Sequence, residues 1–175
     1  SGGSESIMLA VKAARDQAKA ERGLKAGEGE LVVPMTAHPA FDKAAHALEL
    51  KIHRVPVSMP SGEADVAAME AKLNGKTVMM VGSAPNFPYG VVDPIPALSD
   101  VAVKHDVWLH VDACVGGYFA PFARKLGVDI PAFDFENEGV RSISADLHKY
   151  GYAAKGASTV FHRNQKQGEY QTFVF

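Results

Sequence analysis

The sequence predicts an α/β fold in which a mostly parallel sheet is covered by helices on both faces. Short apolar runs typical of buried strands alternate with segments of about 10 to 15 residues that have helical apolar spacing. Strands separated by helices in this way favour parallel pairing, and no internal repeat is visible. With 175 residues, 47% of them apolar, the chain can bury one sizeable core, so one domain is expected.

The first half of the chain gives a loop, a helix and then a β-α-β pattern. Ser4 is a suitable cap for a first helix, whose broad apolar face includes Ile7 and Val11 and which Gly23 should stop. A short buried strand is predicted at 31–33, and alanines spaced for close packing predict a helix at 39–50. A second strand follows at 52–57.

The second half continues the alternation of helices and strands. Apolar spacing predicts helices at 63–73 and 95–105, and apolar runs predict strands at 77–81 and 107–111. Two further strands are predicted at 141–144 and 158–161. In such sheets ligands bind beyond the carboxyl ends of the strands, so the chemically active residues should follow them.

Composition narrows the classes of partner. The net charge is −2 with acidic and basic residues mixed, which leaves no basic surface for nucleic acid and no polybasic stretch for a membrane. No apolar run has transmembrane length, and the single cysteine, Cys114, cannot form an internal disulfide. A small-molecule ligand and a cytoplasmic location are therefore expected.

Both ends suggest a segment of a longer protein. The chain starts without methionine in a glycine-rich run at 1–4, and it ends in an apolar, strand-like run at 170–175. That glycine-rich start, with Gly3 and Ser4 at a helix N-terminus, offers backbone N–H groups and a helix dipole to a phosphate. An ordinary capped helix start is the alternative, and neither a P-loop nor a G-x-G-x-x-G motif is present.

Asp112 ends a buried apolar strand, so its carboxylate needs a cationic or hydrogen-bonding partner. A protonated pyridine nitrogen would satisfy it, and a structural aspartate that caps the next loop is the alternative. His110 points to the same side of the strand, but no third ligand has a metal-site spacing, so no metal is expected.

Lys149 follows the strand at 141–144 and precedes Tyr150-Gly151-Tyr152. Most lysines are solvated surface charges, but one among aromatics and glycines at converging strand ends can have a lowered pKa and bond covalently to a carbonyl. His38 can stack on a flat ring or be satisfied by backbone near Pro39. Cys114 can face the same ligand or be a buried, inert thiol.

These residues lie in runs that closely resemble sphingosine-1-phosphate lyases, a family of pyridoxal-phosphate enzymes. The runs keep the family's order and span nearly the whole chain. The histidine-lysine pair alone is common to the wider group of pyridoxal-phosphate decarboxylases, whereas Tyr-Gly-Tyr-x-x-Lys-Gly and Asp-Ala-Cys are specific to the lyase. The matching runs are 1–7, 36–45, 82–85, 110–117 and 142–156.

The resemblance implies a role for each matching residue. Lys149 would hold pyridoxal 5'-phosphate covalently, Asp112 would pair with its ring nitrogen, and His38 would stack on the ring. The cofactor phosphate would lie at Gly3 and Ser4. The remaining residues implied are His148 beside that phosphate, Ser83 or Ala84 and Cys114 lining the site, and Lys155 on the substrate's own phosphate.

The resemblance also implies a fold and a reaction. The chain 1–175 would be the central part of the cofactor-binding large domain of a fold type I enzyme, without its upstream region and C-terminal small domain, and inactive alone. The enzyme would be a homodimer with composite active sites that cleaves a phosphorylated sphingoid base to a long-chain aldehyde and phosphoethanolamine. A decarboxylase of aromatic or acidic amino acids and a non-catalytic fragment are the alternatives.

Overall fold

A six-stranded sheet forms the centre of the computed structural model, which describes residues 2–173. Its strand order is β2-β1-β5-β6-β7-β8. Every neighbouring pair is parallel except β7 and β8, which are antiparallel. The predicted mostly parallel α/β sheet is therefore confirmed. The strands are β1 (Glu30–Pro34), β2 (Lys51–Val55), β5 (Thr77–Ser83), β6 (Trp108–Asp112), β7 (Val140–Ala145) and β8 (Thr159–His162).

Helices cover both faces of this sheet, and a small hairpin lies beside it. The two strands of the hairpin, Val57–Ser58 (β3) and Glu63–Ala64 (β4), pair only with each other. Helices α1 and α2 pack on one face with Met79 and Trp108, whereas α3 and α4 pack on the other with Met80 and Leu109. The helices are α1 (Gly3–Arg22), α2 (Ala40–Ala47), α3 (Val66–Glu70), α4 (Ile95–His105), α5 (Ala120–Lys125) and α6 (Gln165–Glu169).

The alternation of side chains along each strand feeds two separate apolar clusters. Leu31 and Val33 of β1 pack beneath α1 and α2, while Val32 between them packs beneath α3 and α4. All three are fully buried. Because each such side chain contributes about 1.5–3 kcal/mol when removed from water, a strand buried on both faces is stabilised from both sides.

Several element boundaries differ from the sequence-based prediction. Gly2, not Ser4, is the N-cap of α1, whereas Gly23 ends that helix in a left-handed conformation, φ 69°, as predicted. The predicted helix at 63–73 starts later because its first residues pair with β3, and the Asp65 side chain accepts the Ala68 N–H as the true cap. Helices α5 and α6 were not predicted.

Two findings concern the chain ends and membranes. The apolar run at 170–175 is described only as far as Phe173, where it forms a turn and no strand. Val174 and Phe175, like Ser1 of the glycine-rich start, lie outside the described residues. Within 2–173 no helix is both long and apolar enough to cross a bilayer.

Candidate active site

A cleft of about 190 Å³ opens where the carboxyl ends of β1, β5, β6 and β7 meet the N-terminus of α1. Because parallel strands end at one edge of the sheet, loops distant in sequence converge there. The cleft therefore collects most of the side chains singled out from sequence. Its lining residues are Gly3, Ser4, Ile7, Thr36, His38, Ser83, Pro85, Phe87, Asp112, Cys114, Val115, Asp146, His148 and Lys149.

Two of the predicted site residues do not line this cleft. Ala84 is 1% exposed and packs in the core, and its N–H bonds to the carbonyl of Asp112 at 2.9 Å. Lys155 is exposed in the turn that follows β7, outside the cleft. Ala84 thus contributes backbone support, whereas Lys155 stands outside the cleft.

Lys149 is held by a buried carboxylate. Its Nζ lies 3.2 Å from Oδ2 of Asp146, whose side chain is only 2% exposed. The other oxygen, Oδ1, accepts the hydroxyl of Ser158 at 2.5 Å, and Ser158 in turn contacts Ser6 of α1 at 2.6 Å. This chain of contacts fixes the lysine at the cleft and ties α1 to the strand β8 region. A charge this deeply buried needs such partners.

The start of α1 approaches Asp146 more closely than a side chain would allow. A Cβ added to Gly3 would lie 2.7 and 2.8 Å from the Asp146 carboxylate oxygens and 3.0 Å from Sγ of Cys114. The first N–H groups of a helix have no acceptor within it, so the cleft receives donors at this end. His148 Nδ1 donates to the carbonyl of Ala157 at 2.8 Å, which leaves its Nε2 on the side of Asp146.

Asp112 lines the cleft and is held by the protein through one carboxylate oxygen. Its Oδ1 accepts the N–H of Cys114 at 3.1 Å and the hydroxyl of Ser144 at 3.4 Å. Burial, reinforced by the Asp112 carboxylate, raises the pKa of the Cys114 thiol, so this thiol stays protonated. Cys114 therefore shapes the wall and is not a nucleophile.

An arginine holds the loop that carries His38. Arg54 donates from Nη1 to the carbonyls of Met35 and Ala37, each at 3.1 Å, and from Nη2 to Asp42 at 2.5 Å. His38 Nδ1 accepts the N–H of Ala40, and its ring meets Phe87 edge-on at 5.5 Å between centroids. The ring orientation is thus set from both sides, as a stacking partner requires.

Two buried hydroxyls at the cleft have no hydrogen-bond partner among residues 2–173. These are Oγ1 of Thr36 and Oγ of Ser83, whose residues are 5% and 2% exposed. The backbone of Ser83 is fixed by Asp93, which is fully buried and accepts the Ser83 N–H at 2.7 Å and the Ala64 N–H at 2.9 Å. Since buried polar groups are normally paired, the two hydroxyls point to a polar ligand.

These features fit a flat, phosphorylated carbonyl cofactor. The glycine start of α1 can receive an anion, Lys149 offers an amine, Asp112 offers a carboxylate, and the two hydroxyls can bond to polar ring substituents. Within 2–173 no group of three or more histidine, cysteine, aspartate or glutamate side chains is placed to hold a metal. Fold and cleft together define an α/β protein with a lysine-bearing cleft at the strand ends that fits such a cofactor.

Comparison with known proteins identifies the family. The family profile described as "Pyridoxal-dependent decarboxylase conserved domain" matches residues 1–173, so the chain belongs to that family, whose cofactor is pyridoxal phosphate. The chain is 49% identical over 171 residues to a sphingosine-1-phosphate lyase of Arabidopsis thaliana. The aligned residues make up 98% of this chain and 31% of the relative. A probable L-aspartate decarboxylase of Pyrococcus furiosus is 43% identical over 166 residues, which are 95% of this chain and 43% of the relative.

The solved structures agree with the sequence comparison. The sphingosine-1-phosphate lyase of Burkholderia pseudomallei superposes with a TM-score of 0.96 at 46% identity, covering 99% of this chain and 39% of the other. The chain thus spans about a third of the length of the relatives it matches, 31% for the plant lyase. The predicted resemblance and the fold type I architecture are confirmed.

Sequence reasoning gave no role to Asp146 or Thr36. Asp146 directly follows a buried strand and precedes Lys149 by one helical turn, a signal that could have been used. Nothing in the sequence distinguishes Thr36, which belongs to the same run, 36–45, as His38. Its significance appears only when burial leaves its hydroxyl unpaired at the cleft.

Proposed function

We propose that the protein containing this chain is a pyridoxal-phosphate-dependent carbon–carbon lyase that cleaves phosphorylated sphingoid bases to a long-chain aldehyde and phosphoethanolamine. The observation that carries the proposal is identity near 50% to sphingosine-1-phosphate lyases along almost the entire chain. The runs around Lys149 and Asp112 that suggested this family lie at the cleft, which supports assigning them to the cofactor.

Pyridoxal phosphate, when bound, accepts the electron pair of the carbon–carbon bond that breaks. For that chemistry Lys149 would hold the cofactor, and Asp146 positions Nζ at the cleft. Asp112 would pair with the ring nitrogen and favour its protonated form. His38 would cover one face of the ring and exclude water from it.

The phosphate and the ring substituents have their own partners. Gly3 and Ser4 receive the cofactor phosphate at the N-terminus of α1, with His148 beside it. Ser83 and Thr36 donate to polar groups of the ring edge. Lys155, exposed outside the cleft, binds the phosphate of the substrate, which projects from the site. The homodimer with composite sites and the cytoplasmic location belong to the same proposal.

The test begins with the cofactor. The complete protein, incubated with pyridoxal phosphate and reduced with borohydride, should carry the pyridoxyl label on Lys149, and Lys149→Ala should carry none. A label confined to other lysines, in folded protein, would refute the assignment. Size measurement of the labelled protein reports whether it is a dimer.

The reaction is then decided by products. With sphinganine 1-phosphate the enzyme should release a long-chain aldehyde and phosphoethanolamine, and with L-aspartate or aromatic amino acids it should release no carbon dioxide. The aspartate decarboxylase relative makes decarboxylation the competing reaction. Lys155→Ala should raise KM for the sphingoid phosphate and leave the pyridoxyl label unchanged. Carbon dioxide release without aldehyde would overturn the lyase proposal.

A further inference from the structure

A buried histidine lies beneath Asp112 and has no part in the chemistry proposed above. His110 is two residues before Asp112 on β6, so both side chains point to the same face of the sheet. Ser142 and Ser144 are their partners on the parallel strand β7, where His110 pairs with Ser142 and Asp112 with Ser144. The strand register therefore builds a row of polar groups that ends at the cleft.

The hydrogen bonds of this row are continuous. Trp108 Nε1 donates to Oγ of Ser142 at 2.7 Å, and that hydroxyl lies 2.8 Å from Nδ1 of His110. On the other side of the ring, Nε2 of His110 lies 3.2 Å from Oγ of Ser144, which donates to Asp112 Oδ1 at 3.4 Å. The final contact is the longest in the row and the easiest to lose.

Only one assignment of protons satisfies every group in the row. The indole N–H of Trp108 can only donate a hydrogen bond, so the Ser142 hydroxyl accepts it. The same hydroxyl donates its own hydrogen bond to Nδ1 of His110. Nε2 then carries the ring proton and donates to Ser144, which is left free to donate to Asp112. With the opposite tautomer, Ser144 would donate to His110 and Asp112 Oδ1 would lose this donor. The thiol of Cys114 also donates to Ser144, at 3.4 Å, and fills its second acceptor position.

The surroundings keep His110 neutral, as this arrangement needs. The residue is fully buried, and its ring meets Phe41 edge-on at 5.9 Å. Burial, with a smaller effect of nearby His162, lowers the pKa of His110 to about 3. A neutral ring has one donor and one acceptor, which the two serines use up, so His110 is unavailable to a ligand in the cleft.

We propose that His110 is a positioning residue for the cofactor: through Ser144 it fixes Oδ1 of Asp112, so that Oδ2 faces the ring nitrogen of pyridoxal phosphate and holds its proton. This inference rests on the proposed function only in placing that ring nitrogen at Asp112. Without the row, the carboxylate keeps only the Cys114 N–H on Oδ1 and can turn away from the ring. The ring nitrogen then lacks its anionic partner and is protonated in a smaller fraction of the molecules.

The test uses the complete protein loaded with pyridoxal phosphate that is isotopically labelled at the ring nitrogen. An asparagine amide reaches the position of Nδ1 and a glutamine amide that of Nε2, so His110→Gln keeps the donor to Ser144 whereas His110→Asn loses it. Nitrogen NMR should give a protonated-ring shift for the wild type and His110→Gln. His110→Asn and Ser144→Ala should shift toward the neutral ring and bind the cofactor about tenfold more weakly.

Phe41→Leu is the matched control, since it alters packing against the same ring and leaves the row of hydrogen bonds intact. Its ring-nitrogen shift should equal that of the wild type even if the protein loses stability. An unchanged shift in both His110→Asn and Ser144→Ala, with the cofactor bound at Lys149, would overturn the inference and leave the proposed function standing. Absence of bound cofactor in the wild type would overturn both.

Discussion

Replacing His110 by glutamine should remove a defined part of the pH dependence of stability. The folded protein holds His110 neutral down to a pKa of about 3, whereas a histidine in the unfolded chain has a pKa of about 6.5. Between these values only the unfolded state binds the proton, so acid favours unfolding. The stabilisation is fully present above the unfolded pKa and is lost as pH falls through this window.

The size of the effect follows from the width of the window. Each pH unit within it lowers the free energy of unfolding by about 1.4 kcal/mol, so a change from pH 7 to pH 5 costs the wild type about 2 kcal/mol through this residue. Glutamine takes up no proton. The free energy of unfolding of the wild type relative to His110→Gln should therefore fall by about 2 kcal/mol over the same change.

Urea unfolding of the cofactor-free protein at several pH values measures this difference. Trp108, the single tryptophan of this chain, is buried beside His110 and gives a local fluorescence signal. His46→Gln, the same replacement at an exposed histidine of α2, should follow the wild type. Parallel curves for the wild type and His110→Gln between pH 7 and pH 5 would refute the argument that burial keeps this ring neutral.

Three further substitutions test the site and its supports. Gly3→Ala should weaken pyridoxal-phosphate binding at least about tenfold in a titration. Its Cβ would lie 2.7 Å from Asp146 Oδ2, and overpacking of this kind costs about 1–3 kcal/mol. An unchanged affinity would contradict this prediction. The hydrogen bond from Arg54 lowers the pKa of Asp42, so the stabilisation from this pair is present above about pH 3.8 and is lost in acid. In urea unfolding, Asp42→Asn should therefore lose about 0.5 kcal/mol less free energy of unfolding in acid than the wild type, a small difference because the pair is partly exposed. Asp93→Asn leaves one of two backbone donors unpaired and should cost about 1–3 kcal/mol in thermal unfolding; an unchanged melting temperature would argue against it.

The α/β fold could be predicted because its strands are buried on both faces and appear as continuous apolar runs. The hairpin of β3 and β4 could not, because the region from Glu63 has the apolar spacing of a helix and its first two residues are recruited by pairing with Val57–Ser58. Helix α5 is a short segment with a proline near its start.

The site was predictable where single residues follow strands, as Asp112 and Lys149 do. The role of Asp146 depends instead on Gly3 and Ser6, which reach it only through folding. Similarly, the alternation of His110 and Asp112 placed both on one face, but the serines opposite them depend on the register of β6 with β7. Register between distant strands is a property of the whole sheet and not of either strand.

The contacts between α1 and the far end of the chain have a consequence for synthesis on the ribosome. Ser6 meets Ser158, and Lys12 donates to the carbonyl of Tyr170 at 2.9 Å, so the contacts of α1 are completed by residues that leave the ribosome 152 and 158 residues later. Contacts between such distant residues form slowly. Until then α1 lacks these partners, and partly assembled chains of this kind expose apolar surface and are prone to aggregate.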